Sequence, residues 1–234
     1  MDILYEDNHL IAVNKKASEI VQADKTKDEP IPDRIKAYIK EKYNKPGDVY
    51  LGTVHRIDRP VSGVVVFART SKAADRLSAA FKNREVKKTY WAIVKNPPPK
   101  QHDIIRHFLM KNEKQNKSYA SPIPKEGYLE SALRYEIIDK SDGYYLIKVN
   151  PFSGRHHQIR VQLSTIGSAI KGDLKYGFDR SNKDASISLH AREISFKHPV
   201  KDELVTITAP VPNDTLWKFF EDRQEQKNAS IDNN

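Results

Sequence analysis

The chain has 234 residues, 38% hydrophobic and 30% charged, with a net charge of +9 and no cysteine. That length suits one large domain, no run approaches the roughly 18 apolar residues that span a bilayer, and the missing thiols exclude disulfides, thiolate metal sites and a cysteine nucleophile. The start, Met1-Asp2-Ile3-Leu4-Tyr5-Glu6-Asp7, lacks the basic and apolar parts of a signal peptide, so a cytoplasmic location is expected.

In chain order, Ile3-Leu4-Tyr5 and Leu10-Ile11-Ala12-Val13 read as two strands bent at Asp7-Asn8. Residues 16–30 read as a loop, and Ile35, Tyr38 and Ile39 recur at helical spacing from Pro32 to Tyr43. A polar motif, His55-Arg56-Ile57-Asp58-Arg59-Pro60-Val61-Ser62-Gly63, runs into an apolar strand at 63–69. Ser71 is placed to cap a helix that ends near Asn83. Residues 88–94 alternate as a strand, with Tyr90, Ala92 and Val94 on one side and Trp91 and Ile93 on the other.

Pro97-Pro98-Pro99 stops that strand, and the lysine- and asparagine-rich stretch 111–127 reads as mobile. Residues 129–138 and 144–149 form a hairpin about Ser141-Asp142-Gly143. A helix is predicted over Arg155–Ile166, with Gly167 as its C-cap. Strands follow near 188–196 and 203–209, then a helix carrying Leu216, Trp217, Phe219 and Phe220. Strands joined by loops and hairpins, with few helices, favour an α+β class over a βαβ array. A catalytic domain over 1–223 and a polar, disordered tail over 224–234 are expected.

The charge is unevenly spread. In residues 82–117 ten Lys/Arg face only Glu85, Asp103 and Glu113, a local excess of seven, with Tyr90, Trp91, Phe108 and Tyr119 in or beside the run. Such a mixture points to a polyanion-binding face rather than a merely solvated one.

Asp58 between Arg56 and Arg59 reads in two ways: a surface ion-pair cluster of little consequence, or a carboxylate kept ionised by cations as a nucleophile. Gly154-Arg155-His156-His157-Gln158-Ile159-Arg160 is the second polar cluster. Arg155 at a helix N-terminus is disfavoured by the macrodipole, which suits a phosphate or carboxylate ligand. The adjacent His156 and His157 cannot share a metal in the i, i+4 manner, and no metal is expected. Lys171-Gly172-Asp173 … Tyr176-Gly177, taken alone, is a turn. Tyr90 is either core or a ring turned toward a pocket.

Taken together, the segments resemble the RluA-type pseudouridine synthases. The resemblance rests on ILYEDNHLIAVNK (3–15), HRIDRPVSG (55–63), KKTYWAIV (87–94), SGRHHQIRVQLSTIG (153–167), KGDLKYG (171–177) and SLHAREISFKHP (188–199), in family order. The chain departs from the pattern at Lys16, Gln22, His156, Gln162 and Ser168-Ala169.

The resemblance implies a single pseudouridine-synthase-type domain, with a mixed, mainly antiparallel sheet flanked by helices and loops around a central RNA-binding cleft. It implies isomerisation of a specific uridine in ribosomal or transfer RNA by a monomer, without cofactor, metal or membrane. By it, Asp58 is the nucleophile, Arg160 its ion-pair partner, and Tyr90 the ring that stacks on the flipped base and helps remove the C5 proton. Arg56, Arg59, His55, Leu189 and Arg155 are the implied substrate-binding residues. A catalytically idle RNA-binding protein that kept the fold is the competing expectation.

Overall fold

The computed structural model describes residues 1–23 and 27–232; of the loop predicted at 16–30, residues 24–26 lie outside these. In chain order the elements are β1 Ile3–Glu6, β2 Leu10–Lys15, α1 Ile31–Lys42, β3 Gly52–Thr53, β4 Ser62–Ala68, α2 Ser71–Lys82, β5 Lys87–Val94, β6 His102–Asn112, β7 Lys117–Ser121, β8 Leu129–Lys140, β9 Tyr145–Pro151, α3 Gln158–Thr165, β10 Leu189–Lys197, β11 Leu204–Thr208 and α4 Thr215–Asp232. A 3-10 turn covers Leu174–Tyr176. The class is α+β, and the ladders β1–β2, β2–β4, β3–β4, β5–β9, β6–β7, β6–β8, β8–β9 and β10–β11 are antiparallel.

The chain forms two compact units, Met1–Lys88 with Ala191–Pro210, and Thr89–His190 with Val211–Asn234. In the first, the strand order is β1-β2-β4-β10, with β3 on β4 and β11 on β10. All seven residues of β4 are buried, which explains why this segment, SGVVVFA, is apolar throughout rather than alternating. Asp7 makes the β1–β2 turn as an Asx motif, its Oδ1 accepting from the N–H groups of His9 and Leu10 at 2.8 Å each. The register pairs Leu10 with Ala68 and Lys15 with Gly63, so β2 ends beside the start of β4. Helix α2 is capped by Thr70 rather than Ser71: its side chain accepts from Ala73 N–H.

In the second unit β5-β9-β8-β6-β7 make successive hairpins and a crossover. Trp91 and Ile93 of β5 pack with Leu146, Val211, Trp217 and Phe220, which docks α4 on the sheet. The stretch predicted to be mobile instead contains β7, hydrogen-bonded to β6 from Lys117↔Asn112 to Ser121↔Phe108. Helix α3 begins at Gln158, not Arg155, because His157 takes a left-handed backbone (φ 53) that the helix cannot include.

Helix α4 runs to Asp232, so residues 224–232 are helical where a disordered tail was expected. The cause is a distant acceptor: the Asp139 carboxylate, 2% exposed, takes Arg223 Nε at 3.1 Å, Gln224 Nε2 at 3.0 Å and Lys227 Nζ at 3.0 Å. Among the described residues, no helix is long and apolar enough to cross a membrane.

Candidate active site

In the first unit, the motif at 55–63 is a loop from β3 into β4. Ile57 and Val61 are buried and anchor it, while Asp58 between them is half-buried. The Val61 N–H donates to Asp58 O at 3.0 Å and closes the turn. Beneath it lies a residue that the motif reading did not single out. Lys15 is 1% exposed, and its Nζ donates to Lys16 O at 2.9 Å, Arg59 O at 3.0 Å and Val61 O at 2.7 Å.

Three carbonyl oxygens thus receive the three protons of one ammonium group, and two of them lie in the turn just after Asp58. Burial pulls the Lys15 ammonium down to about 7, against the opposing pull of the Glu19 and Asp58 carboxylates. The one sequence signal for it was a lysine closing an otherwise buried strand, LIAVNK.

The two arginines of the motif are held by the loop preceding α1. Arg56 Nη1 donates to Gln22 Oε1 at 2.7 Å, and Arg59 pairs with Asp28. His55 turns into its own unit: its Nε2 accepts the Val66 N–H at 2.9 Å, and its ring stacks on Phe81. Burial, and then the nearby Lys88 ammonium, push this imidazole down to about 3, so it is a neutral acceptor that ties the motif to β4. His55 thus has a structural role in holding the motif. Gly63 follows at φ 118 in close approach to Ala191, a conformation and a space that only glycine fits.

In the second unit, Tyr90 sits on β5 opposite Val149 and is half-exposed, whereas the next four residues of the strand are buried. Leu189 and His190 open β10 and are buried, at 3% and 0% exposed. Arg155 is exposed and lies before α3, so the macrodipole argument made for it from sequence does not apply. The segment is held by Gln158, whose Oε1 accepts from Ser153 Oγ and Arg155 N–H and whose Nε2 donates to Ala132 O.

Arg160 is 5% exposed and gripped by Asp173, Nε to Oδ2 at 2.7 Å and Nη2 to Oδ1 at 2.9 Å, with the Tyr176 ring 5.0 Å from its guanidinium carbon. The Tyr176 hydroxyl accepts from Ser118 N–H at 2.8 Å and lies 2.9 Å from His157 Nδ1. Burial, then Arg160 and other cations, hold the His157 imidazole down to about 2, so it stays neutral. Asp173 and Tyr176 come from the stretch that spacing alone reads as a turn. Among the described residues, no group of three His, Asp or Glu side chains is placed to hold a metal ion.

Residues 9–165 match the family model described as RNA pseudouridylate synthase. The chain belongs to this family. The match takes in the loop of Asp58, the strand of Tyr90 and the helix of Arg160, and the RluA-type motifs read from the sequence lie within and beyond it. The chain is similar to a ribosomal large subunit pseudouridine synthase C of Vibrio parahaemolyticus, 32% identical over 89% of this chain and 65% of that protein. A tRNA pseudouridine synthase C of Yersinia pestis is 30% identical over 89% of this chain and 86% of its own length. The chain thus spans a little under two thirds of the first ribosomal relatives, 65% of the length of each. Two solved structures share the pseudouridylate synthase fold. Human RNA Pseudouridylate Synthase Domain Containing 4 has a TM-score of 0.77 at 22% identity, covering 92% of this chain and 90% of its own. Human RNA Pseudouridylate Synthase Domain Containing 1 has a TM-score of 0.71 at 23% identity, covering 90% and 83%.

Proposed function

We propose that this pseudouridylate synthase family member isomerises a specific uridine of ribosomal or transfer RNA to pseudouridine. The observation that carries the reading is that one family match spans Asp58, Tyr90 and Arg160 together. In the proposed reaction the N1–C1′ bond of uridine breaks, the uracil turns over, and C5 bonds to C1′. The C5 proton is then lost and N1 regains one, so no redox partner or donated group is required.

Asp58 acts on the ribose, as a nucleophile at C1′ or as the base of an elimination. Its turn is fastened by Lys15, so the carboxylate is presented by a rigid loop, and rigidity of this kind is what positioning the reacting atoms demands. Arg160, which also grips Asp173, is assigned to the Asp58 carboxylate by its place in the matching motif. Tyr90 stacks on the flipped uracil and assists removal of the C5 proton. A base inside a paired stem is out of reach, so the nucleotide is flipped before reaction. Arg56 fills the vacated space or holds phosphate, with Arg59 and Arg155 on the backbone and Leu189 as an apolar wall.

The test is tritium release from RNA carrying 5-tritiated uridine. The wild type is expected to release tritium, and Asp58→Asn to release none while still binding the RNA. Equal release by the two proteins overturns the assignment of Asp58; no release by the wild type from a complete cellular RNA set favours the idle RNA-binding protein.

A further inference from the structure

The basic run of 82–117 is not a uniform surface. Within the second unit, Lys95 pairs with Asp179, Lys100 with Asp103, Arg106 with Glu130 and Lys111 with Glu113. Among the described residues, no carboxylate pairs with Lys114 or Lys117, which lie in and after the β6–β7 turn. Lys117 Nζ stands 5.8 Å from the ring centre of Tyr119 and 5.4 Å from that of Tyr176. Tyr119 is 37% exposed on β7, the last strand of its sheet.

The turn is also fixed in place. Asn112 Oδ1 accepts from Gln115 N–H at 3.0 Å, and Lys175 Nζ donates to Asn116 O at 2.9 Å. His156 lies against it, with Nδ1 2.8 Å from Ser118 Oγ and Nε2 3.1 Å from Asn116 Oδ1, while Ser118 Oγ donates to the His156 carbonyl at 2.7 Å. The His156 ring stacks on that of His157, 3.7 Å away, directly before α3. These contacts give the turn a fixed position relative to Arg160 on α3.

We propose that the β6–β7 turn is a second RNA grip, in which Lys114 and Lys117 take two phosphates and Tyr119 stacks a base of a single-stranded segment beside the reacting nucleotide. His156 is its positioning residue. Lysines with no carboxylate beside an exposed ring on a sheet edge are the elements by which proteins hold single strands without reading sequence.

The inference rests on the reading of this chain as an RNA-modifying protein, and its test is separate from catalysis. A fluorescein-labelled oligouridylate is titrated with the full chain over a series of salt concentrations. Lys114→Ala with Lys117→Ala is expected to weaken binding about tenfold and to flatten the salt dependence by about 1.4 in slope, the value for two phosphates of a single strand. Tyr119→Ala is expected to cost about fivefold or more, the lower end for one stacked base. His156→Ala is expected to weaken binding, and in its background the two lysine substitutions to cost little more. Wild-type affinity in the double lysine variant overturns the grip. An equal loss with an RNA duplex overturns the single-stranded assignment, and fully additive losses with His156→Ala overturn the positioning role. Tritium release by the wild type reads the enzymatic proposal alone: a catalytically idle chain could still carry the grip, and an active one could lack it.

Discussion

Arg160 and Asp173 form a side-on, bidentate ion pair in which neither side chain is more than 5% exposed. The fork fixes the plane of the guanidinium and ties α3 to the loop that precedes the 3-10 turn. Removing one partner breaks a buried, hydrogen-bonded ion pair, which typically costs about 3–5 kcal/mol. Asp173→Asn is therefore expected to lower the melting temperature by roughly 10 °C, at about 2–4 °C per kcal/mol for a chain of this size. It should also reduce tritium release more than it reduces RNA binding. Thermal denaturation gives the first comparison, and a melting temperature within about 2 °C of wild type would show that the pair contributes little.

The imidazoles of His157 and His55 are held down to about 2 and about 3, below the value near 6.5 of an unfolded histidine. Between those values the unfolded chain binds protons that the folded one refuses, so stability falls as the pH drops below about 6.5. Each group can contribute up to about 2 kcal/mol of loss between pH 6.5 and 5. Urea midpoints measured at pH 7.5 and pH 5 should therefore fall with acid. The fall should be smaller in His157→Asn, a residue that tolerates the left-handed backbone at this position. The same pH dependence in both proteins would remove His157 from the account.

What the sequence revealed and what it hid divide along one physical line. The spans of α1, α2, β4, β5, β8 and β9 follow from local periodicity and turn residues, and the structure reproduces them within a few residues. The two segments wrongly read as disordered depend on partners far away in the chain. The stretch after β6 is ordered because Ser118 is held by Tyr176, 58 positions on, and by His156, 38 positions on. The end of α4 is ordered because Asp139, 84 residues before Arg223, accepts three of its donors. Composition reports solvation, and it could not report these contacts. The Asp58 carboxylate was legible as part of a motif; the support of its turn by Lys15 was not, since a lone lysine at a strand end reads as surface.

Gly63 stands at φ 118 where β4 begins, and a Cβ built there would lie 2.6 Å from Ala191 N and within the radius of Ala191 O. Both the backbone conformation and the close approach exclude a side chain. Gly63→Ala is expected to destabilise the protein by more than about 3 kcal/mol, as strain and displacement of β10 add. Solubility on expression and the urea midpoint check this. A variant that unfolds at the wild-type midpoint would mean that the first unit relaxes around the methyl group.

Lys15 offers the sharpest separation between holding the active loop and holding the fold. Its ammonium donates to the carbonyls of Lys16, Arg59 and Val61, and Lys15→Met keeps the length and the buried stem while removing all three donors. Leaving buried acceptors unmatched costs about 1–3 kcal/mol each where water cannot reach them, so a loss of about 3 kcal/mol is expected, seen as a lower urea midpoint. At a temperature where the variant is still folded, the Asp58 turn is released from its fastening, and tritium release is expected to fall at least about a hundredfold, the scale on which a displacement near 1 Å acts on a positioned reaction. RNA affinity should change far less, because no atom of Lys15 is offered to the RNA. Activity that falls only in proportion to the folded fraction would assign Lys15 to stability alone, and leave the position of Asp58 to be set by the rest of its loop.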